Sequence, residues 1–309
     1  ADIASPLLQL LAMGEAEDFP WLDQPRPDTL RRAADVLRHL GAIEADGSNR
    51  DRITSLGQQL VQLPTHPRLA RLLLSGAERG VLREAAIAAA LLSERDPFRT
   101  PRPGGGPRDR QTVRSRCDIS DRVAALQAVH AGVRIDDPML DPHPAGAQAV
   151  LRAAEQFYRL VDTQLGPRAA DPGAALRRSL LDAFPDRLAR QRPGAQDRGT
   201  LVGGRGARLK SSRLRGEPLF LAIDLQEAAG EAEVRLATAI EREWLAEEPL
   251  ASANLTTAEE LLWHPSRRQV EARLQTSWLD LVLEETPAAI RDATAAAAIL
   301  AREAAADLP

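Results

Sequence analysis

The chain has 309 residues, of which 44% are hydrophobic and 27% charged, and its formal net charge is −4. That length can bury a large core and points to two or three domains. The mildly acidic balance excludes a uniformly basic nucleic-acid binder, and the single cysteine, Cys117, excludes an internal disulfide and a Cys-rich zinc site.

No apolar run reaches the ~18 residues that a membrane-spanning helix needs, and no charged-then-apolar segment opens the chain. A cytoplasmic protein without membrane contact is therefore expected. Charge is unevenly spread. Arg177 to Arg215 holds eleven basic residues against three acidic ones, whereas the stretch from Gln226 onward holds sixteen acidic residues against seven arginines. Such asymmetry predicts a local anion-binding surface beside an acidic part.

In chain order, a short helix carries Leu7, Leu8, Leu10 and Leu11, with Gly14 as its C-cap. Phe19-Pro20-Trp21-Leu22 reads as a loop whose aromatics pack down as anchors. A second helix starts near Asp28, taken as N-cap, and sets Leu30, Ala33, Ala34, Leu37 and Leu40 on one face before Gly41. Two short strands around Asp46-Gly47 form a small wing, and a helix capped by Ser55 follows. This order of elements over residues 1–66 is that of a winged helix. The second helix mixes Arg31, Arg32, Asp35 and Arg38 in sign, so intramolecular packing competes with DNA readout there.

Ile53, Leu56, Leu60 and Leu63 share a helical face. Pro64 and Pro67 then bracket His66 and stop that helix from running on. A new helix begins at once with Leu69, Leu72 and Leu73. The Ala85–Leu92 block is apolar on most sides and predicts a buried helix. Arg99 to Arg116, rich in proline, glycine and arginine, reads as a flexible basic loop with Cys117 beside it. Further helices are expected from Ser120, over Gln148–Leu165, and around Leu176 to Phe184; His130 and His143 lack metal-like spacing.

Short apolar pieces with glycine punctuation follow: Leu201-Val202, Ala207–Leu209, Leu219–Ile223 and Val234–Leu236. They predict a small β-barrel. Helices are expected near Glu241–Ala246 and Thr257–Leu262, then a hairpin from Gln269–Leu274 and Leu281–Glu285 with Trp263 and Trp278 as core anchors. An Ala-rich helix from about Ala288 ends the chain.

The wording of several stretches is more specific than their periodicity. Thr54-x-Leu56-Gly57, Leu63-Pro64 and Pro67-Arg68-Leu69 resemble the winged-helix-to-helical-domain junction of DEAH-box RNA helicases, and within them the bacterial HrpB group. Ser93-Glu94-Arg95-Asp96-Pro97-Phe98, the pair Asp118 and Arg122, and Phe184-Pro185-Asp186-Arg187 fit the same group. The resemblance implies a multidomain α+β chain. A winged helix would occupy residues 1–66, an α-helical ratchet-like bundle 67–185, and a small OB-like β-barrel with appended helices and a C-terminal extension 186–309. It further implies RecA-like motor domains of the same protein, supplied with ATP and magnesium, and single-stranded RNA as partner, with DNA as the other candidate nucleic acid.

The sequence holds no Gly-x-x-x-x-Gly-Lys-Ser/Thr and no Asp-Glu-Ala-His, so no ATP hydrolysis and no cofactor are expected of the chain itself. Cys117 lacks a catalytic partner. What remains is a binding surface. Arg187, Arg190, Arg192, Arg205, Arg208, Lys210 and Arg213 fall on the expected barrel and its loops, and guanidinium forks suit phosphate. With few aromatics to stack bases, binding would be backbone-dominated and salt-sensitive. Arg187, following Asp186, could instead be a structural ion pair. Two further readings stand beside the helicase one. The chain could be a stand-alone winged-helix/OB nucleic-acid-binding or protein-interaction adaptor without enzymatic activity, or a purely structural interaction module that binds no RNA.

Overall fold

The computed structural model describes residues 2–15, 19–46, 50–98, 115–137, 139–161, 165–228 and 230–306. The turn at residues 47–49 and the basic loop at residues 99–114 lie outside them.

The chain opens with α1 (Ala4–Met13), closed by Gly14 at φ 76°, a left-handed position that costs glycine nothing. Next comes α2 (Pro27–His39), which starts one residue before the expected cap: Pro27 occupies the first turn, and Asp28 sits inside it where the helix dipole favours an acid. Strands β1 (Ile43–Ala45) and β2 (Asp51–Ile53) pair antiparallel. Helix α3 (Ser55–Val61) is capped by Thr54, not Ser55. The Thr54 hydroxyl accepts from Gly57 N at 3.0 Å and donates to Gly41 O at 2.7 Å, so one side chain stitches helix to hairpin. Phe19 and Trp21 do not anchor the loop inward as expected. They meet each other edge-to-face at 5.0 Å, and Leu22 is fully exposed.

Five helices follow: α4 (Pro67–Glu78), α5 (Leu82–Ser93), α6 (Asp118–His130), α7 (Pro144–Leu160) and α8 (Pro172–Ala183). Helix α4 is buried all round because two cores claim it. Ala70 and Leu74 join the core of α1–α3, while Leu69, Leu72, Leu73 and Ala77 join that of α5–α8. Between α4 and α8, the Asp182 carboxylate accepts from the Ser75 hydroxyl and lies 3.3 Å from Arg79 and 3.7 Å from Arg71.

Strands β3 (Leu188–Gln191), β4 (Arg198–Leu201), β5 (Gly206–Leu209), β6 (Leu219–Gln226) and β7 (Ala232–Ala239) close a barrel in the order β3-β4-β5-β7-β6, with β5 and β7 parallel. Its interior holds Ala189, Leu201, Ala207, Phe220 and Val234. Its outer wall is split in use: Leu188, Leu219, Leu221 and Leu236 pack into the helical core, so barrel and helices share apolar surface.

Beyond the barrel, a short 3-10 turn (Arg242–Ala246) and α9 (Leu250–Asn254) lead into β8 (Leu255–His264), β9 (Gln269–Trp278) and β10 (Leu281–Ala288), then α10 (Ala293–Ala306). The helix expected at Thr257–Leu262 is strand β8. Its ten-pair register with β9 outweighs the local helix tendency of Ala258-Glu259-Glu260-Leu261, and the β-branched Thr256 and Thr257 suit a pleated surface. Trp278 is fully buried and donates to Pro185 O at 2.7 Å, whereas Trp263 is only half-buried.

Candidate nucleic-acid interface

Alternation along the barrel strands fixes which side chains face solvent. Arg190 on β3, Arg198 on β4 and Arg208 on β5 point outward, and the register sets Arg198 opposite Arg208 and Arg208 opposite Glu233 of β7. The resulting basic stripe therefore runs into Glu233 of β7 and Glu231 just before it. Arg192 donates to Glu231 at 2.7 Å, and Arg198 lies 3.7 Å from the same carboxylate. Arg208 pairs with Asp197 at 3.3 Å and Lys210 with Glu233 at 2.7 Å. Arg205 pairs with Glu227 at 3.1 Å and also donates to Ala228 O. Arg190 has no ion pair among the described residues; its charge helps Gln275 and Arg273 hold the Glu285 carboxyl below its usual value.

Two of the residues expected on the basic face lie elsewhere. Arg213 is buried against α6. It sits 2.9 Å from Asp137 and 3.7 Å from Asp121, and its backbone N–H donates to Asp118. Asp118 also accepts from Ala237 N at 2.8 Å, which clasps the start of α6 to the barrel. Burial pushes this carboxyl up, against the hydrogen bonds from Ser212, Arg213 and Ala237 that favour its charged form. Cys117, expected in an arginine-rich loop, is buried as the N-cap of α6, its sulfur accepting from Ser120 N at 3.2 Å; burial pushes the thiol up.

Arg187 turns away from the stripe into a cleft of about 760 Å³ where the N-terminal unit, the helices and the barrel meet. It donates to Ile223 O and stacks over Phe184 at 5.2 Å. Arg68 faces it from α4, forked onto Asp186 at 2.6 and 2.7 Å and donating to Ala183 O at 3.1 Å. Burial alone would raise the Asp186 carboxyl, but the Arg68 fork, with Arg187 and His39 nearby, holds it below the ordinary carboxylate value. Burial and the adjacent Arg68 charge lower Arg187 in turn.

Also lining the cleft, Arg122 pairs with Asp96 at 2.6 Å and lies over Phe98 at 4.9 Å, and Arg235 of β7 pairs with Asp224 at 3.5 Å. At the rim His66 accepts from Arg68 N through Nδ1, so its Nε2–H is free to donate to Asp2 at 2.9 Å. Burial would raise the Asp2 carboxyl, yet hydrogen bonds from Ala4 N and His66 keep it below its usual value.

Arg68, His66, Arg235 and Asp2 are the site residues that sequence reasoning did not single out as contacts. The signal was present in another form. The stretches around residues 66, 96, 122 and 187 carry the specific family wording, and all four converge on this cleft. The arrangement offers guanidinium forks for phosphate oxygens and, beside each, a carboxylate able to accept from a hydroxyl. Among the described residues no group of three His, Cys, Asp or Glu side chains could hold a metal, and no helix is long and apolar enough to cross a membrane.

A helical bundle thus shares its core with a closed five-stranded barrel, and a polar cleft lies at their junction. Known proteins share parts of this build. Residues 66–149 match the family described as "Helicase associated domain (HA2), ratchet-like". Over 103 residues the chain is 38% identical to the ATP-dependent RNA helicase HrpA of Escherichia coli (strain K12), and over 91 residues 37% identical to the ATP-dependent RNA helicase DHX29 of Homo sapiens. These alignments span 32% and 29% of this chain but only 8% and 6% of those proteins.

The crystal structure of the E. coli DExH-box NTPase HrpB superposes with a TM-score of 0.63 at 24% identity, covering 94% of this chain and 31% of that one, a likeness of fold. A second structure, of the Escherichia coli DEAH/RHA helicase HrpB, gives 0.62 at 21% identity over 95% of this chain. The chain thus resembles the C-terminal region of an HrpB-type DEAH helicase, which supports a helicase-accessory role.

Proposed function

We propose that this chain is the nucleic-acid-guiding portion of an ATP-dependent RNA helicase of the DEAH/HrpB type. In this reading residues 1–66 act as a winged helix, 67–185 as the ratchet-like bundle and 186–309 as an OB-like barrel with its extension. RecA-like motor domains of the same protein bind ATP and magnesium and hydrolyse the nucleotide. The observation that carries the reading is the convergence of four separated, family-worded stretches on one cleft lined by Arg68, Arg122, Arg187 and Arg235.

Single-stranded RNA passes this cleft and the adjoining barrel face, held through phosphates by arginines and through ribose hydroxyls by carboxylates such as Asp224. Arg190, Arg192, Arg205, Arg208 and Lys210 remain the proposed phosphate contacts on the barrel. The last four sit in surface ion pairs worth about 0–1 kcal/mol each, little enough for a phosphate to displace. Arg187 contributes from the cleft, and Arg213 holds the barrel against α6.

The test is fluorescence anisotropy with a labelled uridine-rich single-stranded RNA at low and moderate salt, with its DNA counterpart alongside. Binding that weakens steeply with salt, favours RNA, and falls at least tenfold in Arg235→Glu and in Arg190→Glu/Arg208→Glu is expected. No binding at low salt, or binding indifferent to both variants, would refute it. The extensive internal pairing of the barrel cations favours a second reading, an interaction adaptor without RNA affinity, and that second outcome would select it.

A further inference from the structure

Away from the cleft, α5, α6 and α7 enclose a second concavity of about 680 Å³, inside the range of roughly 300–1,000 Å³ typical of occupied sites. Its floor is apolar, made of Ala86 and Ile87 of α5 and Leu151 and Ala154 of α7, with Tyr158 lining it beneath Arg83. The α7 lining recurs at Gln148, Leu151, Arg152, Glu155 and Tyr158, three turns of one face and therefore a trough about 15 Å long. Nothing in the helicase reading uses it.

Two features of the rim identify what fits. Arg83 and Arg152 are exposed and carry no ion pair among the described residues, while Glu155, the one acid in the lining, is already paired with Arg159 at 3.0 Å. The trough therefore presents uncompensated positive charge around an apolar floor. Nucleic acid is the poorer match. The Arg83 guanidinium already sits 4.4 Å over the Tyr158 ring, so the exposed aromatic face a base would stack on is taken, and the rest of the floor is aliphatic.

We infer that this trough is a docking site for an acidic amphipathic helix of a protein partner. Its apolar anchors at i and i+4 enter along α7, and its flanking carboxylates meet Arg83 and Arg152. The length matches about three turns of a guest helix, and the mode is a helix laid into a groove between packed helices.

The experiment uses the full chain and a labelled synthetic helix of about 14 residues carrying tryptophan and leucine at i and i+4 among glutamates. A control of identical composition places the two apolar residues on opposite faces. Anisotropy should show saturable binding of the patterned peptide and at least tenfold weaker binding of the control. Arg83→Glu/Arg152→Glu, on exposed positions that leave the core untouched, should weaken the patterned peptide at least tenfold. Gln148→Trp, which fills the trough from its rim, should do the same with the charges intact. Equal binding of patterned and control peptides, no binding, or no response to these variants would overturn the assignment. So would displacement of the peptide by the uridine-rich RNA with loss of RNA binding in Arg83→Glu/Arg152→Glu, which would make the trough a nucleic-acid site.

Discussion

Arg68 and Asp186 lie 118 positions apart in sequence and join the first turn of α4 to the entry of the barrel. Their side chains are 9% and 22% exposed. Arg68→Met keeps the aliphatic stem but removes two charge-assisted bonds to Asp186, the bond to Ala183 O and the contact with Phe184 at 5.3 Å. It leaves a carboxylate that is only 22% exposed without its partner, and breaking a buried pair from one side costs about 3–5 kcal/mol. Asp186→Leu strands the guanidinium and should cost a similar amount. The double variant Arg68→Met/Asp186→Leu leaves no orphaned charge, so its cost should be about 0–2 kcal/mol and the cycle should show strong coupling. Urea titration followed by circular dichroism at pH 7 measures all three. The pH dependence carries a sign. Asp186 is lowered from 3.8 in the fold, so its contribution is complete above that value and is lost as pH falls through the folded value. The gap between the natural chain and Asp186→Leu should therefore hold from pH 7 to about 5 and shrink below 3.8. Single variants costing under about 1 kcal/mol, or additive costs, would show that the pair does not fasten the junction.

Other consequences are as direct. Asp118→Ala removes the acceptor of Arg213 N and Ala237 N, two buried amides, and should cost about 2–5 kcal/mol, with faster hydrogen exchange at those two N–H groups as the specific readout. Gly57→Ala places a Cβ 2.1 Å from Ala42 O, a backbone atom that cannot yield, and should lower stability by about 1–3 kcal/mol in a thermal melt; an unchanged midpoint would mean α3 is free to shift off the hairpin. Trp278→Phe keeps most of the apolar contact but leaves Pro185 O unpaired, for a loss of about 1–3 kcal/mol in urea titration.

The helices were legible in the sequence because their apolar spacing is regular and their ends are marked by proline and glycine. Leu69, Leu72 and Leu73 fall on one face of α4 as expected, and Gly14 closes α1. The barrel too was legible as a series of short apolar runs, and a closed five-stranded barrel is what forms. Strand β8 was not, since Ala-Glu-Glu-Leu-Leu is locally helical and only pairing with β9, from Glu271 to Gln275, makes it a strand. The charge pattern misled for a similar reason. Counting arginines from Arg177 to Arg215 marks a basic segment, but the carboxylates that answer them, Glu227, Glu231 and Glu233, come from β7 and the turn before it. Cys117 shows the same limit: Arg114 and Arg116 precede it in sequence, whereas in space it is bridged to Thr238 of β7.

Those answering carboxylates also rank the arginines of the cleft. A phosphate that takes over the N–H groups a carboxylate now holds must displace it, and the loss grows as the pair is shielded from water. Arg68, 9% exposed and forked onto Asp186, is the costliest to detach and is fitted to hold the junction. Arg122, 18% exposed and 2.6 Å from Asp96, is intermediate. Arg235 is 41% exposed with its carboxylate 3.5 Å away, so it is the cheapest to recruit, and releasing it leaves Asp224 free to accept a hydroxyl. A ribose–phosphate chain supplies both groups within one repeat, which a free anion or a DNA strand does not. If the proposed RNA path holds, this ordering assigns the contact to the outer, loosely paired Arg235 and the fixing of the cleft to the inner, forked Arg68.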